Sequence, residues 1–185
     1  MKEAIHIKNM VCNRCIASVL TIFNAENYIV ESVELGKVVA TKGQKSKFES
    51  LNSALAEVGF EIIKNEAETL VELIKVKLIN KIELGETEDL FKTLAEEFGK
   101  TETALSKLFS RHEGITLEKY TINLKLEKVK ELIQLGQLNF SEIAYSLNYK
   151  NSSHLAKQFK SSTGMSMSEY KSLQDWDRKS LDQIV

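Results

Sequence analysis

The first 66 residues alternate between two hydrophobic periods. A period of two is typical of strands with one buried face, and a period of three to four is typical of amphipathic helices. The order along the chain is strand, helix, strand, strand, helix and strand, over residues 5–11, 13–23, 29–35, 38–41, 48–58 and 60–63. Gly36-Lys37 predicts a hairpin, and Ser46 with Glu49 predicts a capping box before the second helix. This βαββαβ order predicts a ferredoxin-like sandwich of helices on an antiparallel sheet.

The rest of the chain has helical periodicity. Residues 66–83 carry a broad apolar face and end before Gly85, so we expect a helix that connects two domains. The chain has no proline and only 8 glycines, so few positions interrupt the helices that follow.

An internal repeat follows this helix. A shift of 49 residues matches the start of the two copies, and a shift of 50 matches the remainder in the same order. The first copy contributes Leu94, Ala95, Phe98, Gly99, Thr103, Leu105, Lys107, Phe109, Gly114, Thr116 and Tyr120. The residues that match them are Ile143, Ala144, Leu147, Asn148, Ser153, Leu155, Lys157, Phe159, Gly164, Ser166 and Tyr170.

Each copy has the features of a helix-turn-helix. Its first helix ends at a residue that can adopt a left-handed backbone, Gly99 or Asn148. Its second helix begins at a polar N-cap, Thr101 or Asn151. A long helix over residues 117–135 joins the two copies.

The charge of the chain leaves two interpretations of this half open. The net charge is −1, which is not the signature of a basic nucleic-acid binder. Residues 100–171 carry 11 basic and 7 acidic residues, a local excess of +4 (11 − 7). Ordinary solvated helix surface explains this excess as well as a phosphate-binding face does.

Several classes of protein are not expected from this sequence. No apolar run approaches the roughly 20 residues that span a bilayer, and the N-terminus lacks the apolar core of a signal peptide. We therefore expect a cytoplasmic protein without a membrane partner. An enzyme is not expected, because no carboxylate pair, nucleophile with a plausible base or phosphate-binding glycine loop is present.

The two cysteines of the chain, Cys12 and Cys15, lie at the first strand-to-helix turn. The N–H groups at a helix start and the neighbouring Arg14 favour thiolates there. Two soft sulfurs in one loop suit Cu(I), or Zn with further ligands from elsewhere. The alternatives are thiol redox sensing and a scaffold with neither role.

The N-terminal part resembles the heavy-metal-associated domains of copper chaperones and metal-pumping ATPases. The resemblance covers residues 3–64 and rests on the M-x-C-x-x-C loop and the order of the elements. It implies that Cys12 and Cys15 are the metal ligands and that Met10 packs beneath the loop. Asn9 stands where that family usually has glycine.

The C-terminal part resembles the AraC family of bacterial transcription regulators over residues 70–173. The family pattern I-A-x-x-x-G-[FY]-x-x-x-S-x-[FL]-x-x-x-F-K corresponds to residues 143–160, which read IAYSLNYKNSSHLAKQFK. Asn148 replaces the usual glycine, and Lys125 replaces an arginine that is common in the joining helix. The resemblance implies double-stranded DNA as partner, with one helix of each copy in successive segments of the major groove.

The candidate DNA-binding side chains lie on the second helix of each copy and just before it. Short polar side chains can reach base edges, and Lys or Arg can contact phosphates or guanine. The candidates are Lys100, Thr101, Thr103, Ala104, Lys107, Arg111, Lys150, Asn151, Ser152, His154, Lys157, Gln158 and Lys160. A helical bundle that retains the repeat for packing alone is the alternative.

The combined prediction is an α+β chain with a ferredoxin-like sensor domain and an all-α AraC-type domain, whose two helix-turn-helix units are joined by a long helix. The expected limits are 1–65 for the sensor, 66–85 for the connector, 86–173 for the DNA-binding domain and 174–185 for a tail. The first functional hypothesis is a sequence-specific transcription regulator that responds to Cu(I), Zn or thiol oxidation at the cysteine pair. The second is a soluble metal carrier or buffering protein whose helical half docks a partner protein.

Overall fold

The computed structural model describes residues 2–173, 178, 179 and 184. Most of the predicted tail, residues 174–185, lies outside the described residues. The elements are β1 (Lys2–Lys8), α1 (Asn13–Ala25), β2 (Tyr28–Glu34), β3 (Lys37–Lys42), α2 (Phe48–Glu57), β4 (Glu61–Ile63), α3 (Glu66–Glu83), α4 (Leu90–Glu97), α5 (Glu102–Glu113), α6 (Leu117–Leu135), α7 (Phe140–Ser146), α8 (Ser152–Thr163) and α9 (Met167–Lys171).

The chain divides into two compact units, residues 1–76 and 77–185. The division lies within α3, so residues of this helix belong to each unit. The domain limits at 65 and 85 stay a prediction. Among the described residues, no helix has both the length and the apolar character of a membrane span.

The first unit is a mixed unit of helices and a small antiparallel sheet. Its elements follow the predicted βαββαβ order, and the strands lie in the order β2-β3-β1-β4. The central strand β1 pairs with β3 through Ile5↔Val38 and with β4 through Ile7↔Ile62. Apolar side chains of the sheet and of both helices form one core: Ile5, Ile7, Met10, Val19, Phe23, Tyr28, Val38, Ala40, Leu51, Leu55 and Phe60.

The start of α2 differs from the prediction. Lys47 is its N-cap residue, and no side chain caps the helix there. The Ser46 hydroxyl donates instead to the Gly43 carbonyl oxygen at 2.9 Å. The predicted capping box of Ser46 and Glu49 is therefore wrong, because the hydroxyl is used within the turn that precedes the helix.

The second unit contains the two copies of the repeat, α4–α5 and α7–α8. The second helix of each copy packs on the next element through the same aromatic pair. Phe109 contacts Tyr120 with ring centroids 5.1 Å apart, and Phe159 contacts Tyr170 at 5.5 Å. All four rings are at most 2% exposed. The repeat in the sequence is thus a repeat in packing, and it orients α5 and α8 in the same way on their supports.

Candidate functional site

The turns of the two copies have the same backbone geometry. Gly99 follows α4 with a φ of 60°, and Asn148 follows α7 with a φ of 55°. The next residue of each copy donates its N–H to an alanine carbonyl: Lys100 to Ala95 at 2.9 Å, and Tyr149 to Ala144 at 2.8 Å. Asparagine tolerates the left-handed region better than other side chains do, so Asn148 forms the same turn as Gly99.

The side chains predicted to cap α5 and α8 do so. Thr101 Oγ1 accepts from the Ala104 N–H at 3.2 Å, and Asn151 Oδ1 accepts from the His154 N–H at 2.8 Å. Each helix has 12 residues and ends before a left-handed glycine. The caps satisfy N–H groups that have no partner within the helix, and they set where each helix begins.

The predicted DNA-binding residues lie on the solvent side of these helices. Leu105 and Phe109 of α5, with Leu155 and Phe159 of α8, point into the core. Every candidate of the first copy is exposed, and so are those of the second copy, except Ser152 and Gln158, which are half-buried. Whether these residues contact DNA stays a prediction.

A group of side chains behind α8 was not predicted as a support for the site. The Tyr149 hydroxyl donates to Gln158 Oε1 at 2.6 Å, and its ring lies 5.7 Å from that of His154. Lys125 Nζ donates to the Leu147 carbonyl oxygen at 2.9 Å and lies 5.5 Å from the Tyr149 ring centroid. The sequence signals for this group were the aromatic position of the family pattern and the lysine in the joining helix.

Burial dominates the electrostatics of this group. It raises the pKa of Tyr149 to about 12 and lowers the pKa of Lys125 below its ordinary value. Tyr149 is therefore a neutral hydrogen-bond donor at physiological pH. The contacts of Lys125 and Tyr149 connect α6, the turn after α7, and α8, so that they hold α8 in place.

The thiol pair lies in the first unit at the start of α1. Cys12 Sγ and Cys15 Sγ are 3.6 Å apart, with Cys12 exposed and Cys15 half-buried. Burial raises the pKa of the Cys12 thiol. The backbone N–H groups of Cys15 and Arg14, the Cys15 thiol and the Arg14 charge outweigh this effect and leave the pKa below its ordinary value.

The loop that carries the thiols is held by Asn9. This residue has a φ of 71°, which lies in the left-handed region that glycine adopts without strain and that asparagine tolerates. Its N–H donates to Glu72 Oε1 of α3 at 2.8 Å, and its Nδ2 donates to the Gly59 carbonyl oxygen at 2.9 Å. Met10 is fully buried next to it. The two hydrogen bonds therefore hold Asn9 in its left-handed conformation at the start of the loop.

The donor set suits a metal that accepts two thiolates. With Zn–S bonds of about 2.3 Å, two sulfurs of a tetrahedral site lie roughly 3.8 Å apart, close to the spacing of this pair. In the part of the chain that is described, no group of three or more His, Cys, Asp or Glu side chains could hold a metal ion. Within the described residues, the pair offers the two thiolates that a soft ion such as Cu(I) accepts, and no further side chain of this kind completes a Zn site there.

Comparison with known families assigns the second unit. Residues 94–172 match the model of the helix-turn-helix domain. The second unit carries a helix-turn-helix domain. The predicted all-helical arrangement of this part is confirmed, with α6 joining the two copies. The match to a helix-turn-helix domain indicates a DNA-binding regulator and not an enzyme, so the prediction that the chain is not an enzyme is also confirmed.

Among solved structures, this chain is similar to the C-terminal domain of the two-component response regulator yesN from Fusobacterium nucleatum. The identity is 22%, over 58% of this chain and 99% of that one, with a TM-score of 0.48. The C-terminal domain of the response regulator AraT from Geobacillus stearothermophilus is 19% identical, over 58% and 84%, with a TM-score of 0.47. A DNA-binding transcriptional dual regulator from Escherichia coli K-12 is 18% identical, over 53% and 88%, with a TM-score of 0.46. No curated protein matches the chain.

Proposed function

We propose that this protein is a sequence-specific transcription regulator of the AraC type, in which α5 and α8 enter successive segments of the major groove. The observation that carries this proposal is the duplicated helix-turn-helix, with its repeated turn, cap and aromatic anchor. Each copy presents polar and basic side chains to solvent on the helix that follows the turn. In a helix-turn-helix, this second helix is the one that contacts base edges.

Selection from a pool of random duplexes tests the proposal. The full chain is expected to enrich one sequence and to bind it at least about a thousandfold more tightly than random duplex at physiological salt. The enriched sequence should extend over two neighbouring major-groove segments, one for each copy. Equal affinity for enriched and random duplexes would contradict the proposal.

We further propose that the first unit is a ferredoxin-like domain of the heavy-metal-associated kind, and that its thiols receive the signal. The βαββαβ order, the strand order β2-β3-β1-β4 and the left-handed backbone of Asn9 support the domain type. The 3.6 Å distance between the two sulfurs and the lowered pKa of the Cys12 thiol support soft-metal binding. Cys12 and Cys15 would hold Cu(I). The bound ion would add its positive charge and would require both thiols to be deprotonated, and it would take part in no reaction.

The metal proposal predicts 1:1 binding of Cu(I) under reducing conditions. A Cys12→Ser/Cys15→Ser variant should lose this binding and keep its circular dichroism spectrum and melting temperature. The matched control is Thr21→Ser, an exposed hydroxyl on the same helix that lies away from the pair. Binding that persists in the double-serine variant would show that the metal is held elsewhere.

A regulatory role requires more than metal binding. A ligand shifts the DNA affinity only if it binds the DNA-bound and free protein with different affinity, and the coupling is reciprocal. We therefore expect operator affinity to differ between apo and Cu(I)-loaded protein, and Cu(I) affinity to differ by the same factor with operator present. Equal operator affinities would favour the carrier or buffering function.

Thiol oxidation is the second form of signal that the pair supports. The sulfurs, 3.6 Å apart, would approach to about 2.05 Å in a disulfide, with loss of two protons and two electrons to an oxidant. Operator affinity of the reduced, oxidised and Cu(I)-loaded protein distinguishes the two signals. A metal sensor responds only to the metal, and a redox sensor responds to the oxidant in a metal-free buffer.

A further inference from the structure

Helix α3 carries a buried ion pair whose carboxylate also holds the thiol loop. Glu72 and Lys75 are 5% and 7% exposed, and Lys75 Nζ lies 3.8 Å from Glu72 Oε2. The second carboxylate oxygen, Glu72 Oε1, accepts a hydrogen bond from the Asn9 N–H at 2.8 Å. Because the loss of hydration offsets much of the attraction between two buried charges, such a pair is weak evidence for a role in stability alone. The contact with the loop indicates a second role for this carboxylate.

Asn9 lies between this carboxylate and the thiol pair. Its N–H donates to Glu72, and its carbonyl oxygen accepts a long hydrogen bond from Cys15 Sγ at 4.0 Å. Its φ of 71° lies in the left-handed region, which costs energy for a residue with a side chain and persists only where neighbouring contacts hold it. The backbone conformation of Asn9 therefore depends on the contacts of both its N–H and its carbonyl group.

The binding of a soft ion changes the contact on the thiol side of Asn9. Both thiols lose their protons to solvent, because the thiolate is the form that binds a metal. Cys15 then has no S–H group to donate to the Asn9 carbonyl oxygen. The separation of the two sulfurs, now 3.6 Å, is then set by their bonds to the ion. Both changes act on the backbone conformation of Asn9, and so on its bond with Glu72.

The same helix makes ion pairs in the second unit. Lys77 Nζ lies 3.0 Å from Glu97 Oε2 of α4, and Lys128 Nζ of α6 donates to Glu83 Oε2 at 2.6 Å. Helix α4 is the first helix of the first helix-turn-helix copy, and α6 joins the two copies. One helix therefore holds the thiol loop through Glu72 and holds two elements of the helix-turn-helix domain through its second half.

Resting on the proposed function, we propose that the hydrogen bond from the Asn9 N–H to Glu72 couples the thiol pair to DNA binding. The bond is formed when the thiols are free and breaks when they hold Cu(I), so the ion changes a contact of α3. A ligand shifts an equilibrium only by its differential affinity for the two states. A hydrogen bond to a charged group therefore limits the coupling to a factor of about 10 to 100. Glu72 is a positioning residue that touches neither the ion nor the DNA.

Hydrogen exchange of the Asn9 amide tests the first step without DNA. It is measured by nuclear magnetic resonance on the ¹⁵N-labelled full chain, reduced and metal-free or loaded with Cu(I). Loading should speed exchange at Asn9 by about 10- to 100-fold, because the amide loses its charged acceptor. The Ile7 N–H, which donates to the Gly36 carbonyl oxygen at 3.1 Å, is the internal control and should keep its rate.

Two double variants separate the hydrogen bond from the ion pair. Glu72→Gln/Lys75→Met keeps an oxygen that can accept from the Asn9 N–H, and Glu72→Met/Lys75→Met removes it. Both lack the buried charges, and apolar replacement of such a pair is often tolerated. The first variant should keep the dependence of operator affinity on Cu(I). The second should still bind Cu(I) but bind the operator equally well with and without it. If the second variant does not fold, the exchange of the Asn9 amide in the wild-type protein still decides the inference.

Replacement of Asn9 by glycine separates its backbone from its side chain. Asn9→Gly keeps the N–H and adopts the left-handed backbone without strain, but it loses the hydrogen bond from Nδ2 to the Gly59 carbonyl oxygen. The ratio of operator affinities with and without Cu(I) should equal that of the wild-type protein. A ratio of one in this variant would assign the coupling to the side chain and overturn the inference.

Two further results would overturn it. The first is exchange of the Asn9 amide that is unchanged when Cu(I) is bound. The second is a folded Glu72→Met/Lys75→Met variant whose operator affinity depends on Cu(I) as strongly as that of the wild-type protein. A wild-type protein that binds no Cu(I), or that binds the operator equally well in both states, would instead contradict the proposed metal response. The two failures are therefore distinguishable.

Discussion

Replacement of Lys107 or Lys157 by alanine tests whether α5 and α8 face the DNA as proposed. The two lysines are equivalent in the repeat, and both are exposed. Neither takes part in a hydrogen bond or ion pair recorded among the described residues. Since the apolar side chains of the same helices point the other way, each substitution removes a charge and no core contact.

The expected size of the effect follows from the charge of the proposed surface. Six exposed cations lie on it: Lys100, Lys107, Arg111, Lys150, Lys157 and Lys160. If each neutralises one phosphate, log K falls against log salt with a slope of about −5.4, a loss of about three decades between 50 and 200 mM. One substitution should bring the slope to about −4.5, since each phosphate contact contributes roughly 0.9.

Fluorescence anisotropy with the selected operator, at four salt concentrations between about 50 and 200 mM, measures this slope. Lys45→Ala is the matched control, because Lys45 is exposed in the first unit and its loss changes the net charge by the same amount. The control should leave the slope unchanged. A lysine that contacts guanine would instead cost about 1–3 kcal/mol, confined to one base pair.

One result refutes the assignment of this surface. If both variants fold and bind the operator with the slope and affinity of the wild-type protein, the lysines do not face the DNA. If Lys45→Ala changes the slope of log K against log salt by the same amount, the effect comes from the net charge of the protein and not from contacts of Lys107 or Lys157.

Three further predictions concern the scaffold. A fragment of residues 1–76 should melt cooperatively and a fragment of residues 1–66 should not, because the shorter fragment lacks Glu72, which accepts a hydrogen bond from the thiol loop. Thermal melts followed by circular dichroism measure this, and the same cooperative transition in both fragments would contradict it. Asn148→Gly should raise the free energy of unfolding in urea by up to about 1 kcal/mol by relieving the left-handed backbone, whereas Asn148→Ala should lower it. In a Cys15→Ser protein, the alkylation rate of Cys12 plotted against pH should have its midpoint below that of free cysteine, because helix-start N–H groups and a neighbouring cation favour the thiolate. A midpoint equal to that of free cysteine would contradict this.

Local features were predictable where the physics involves near neighbours in the chain. Helices over residues 66–83 and 117–135 were predicted with the bounds that the structure has. The caps at Thr101 and Asn151 and the left-handed turn at Asn148 were also predicted. Periodicity, capping and backbone preference depend on a few consecutive residues, so these features can be inferred from the sequence. The error at Ser46 shows the limit, since a serine hydroxyl can either cap a helix or bond within the preceding turn, and here it bonds to Gly43.

The sequence by itself determined the duplicated helix-turn-helix, the order of the elements and the side chains that lie on each helix. The tertiary structure decided what those side chains can still do. Glu72 reaches the thiol loop across 63 residues of sequence, and Lys125 reaches the turn of the second copy across 22. The hydrogen bond from the Tyr149 hydroxyl holds the Gln158 amide of α8 in one orientation. The hydrophobic periodicity of the sequence does not predict such pairs, because they depend on which surfaces meet when the chain packs.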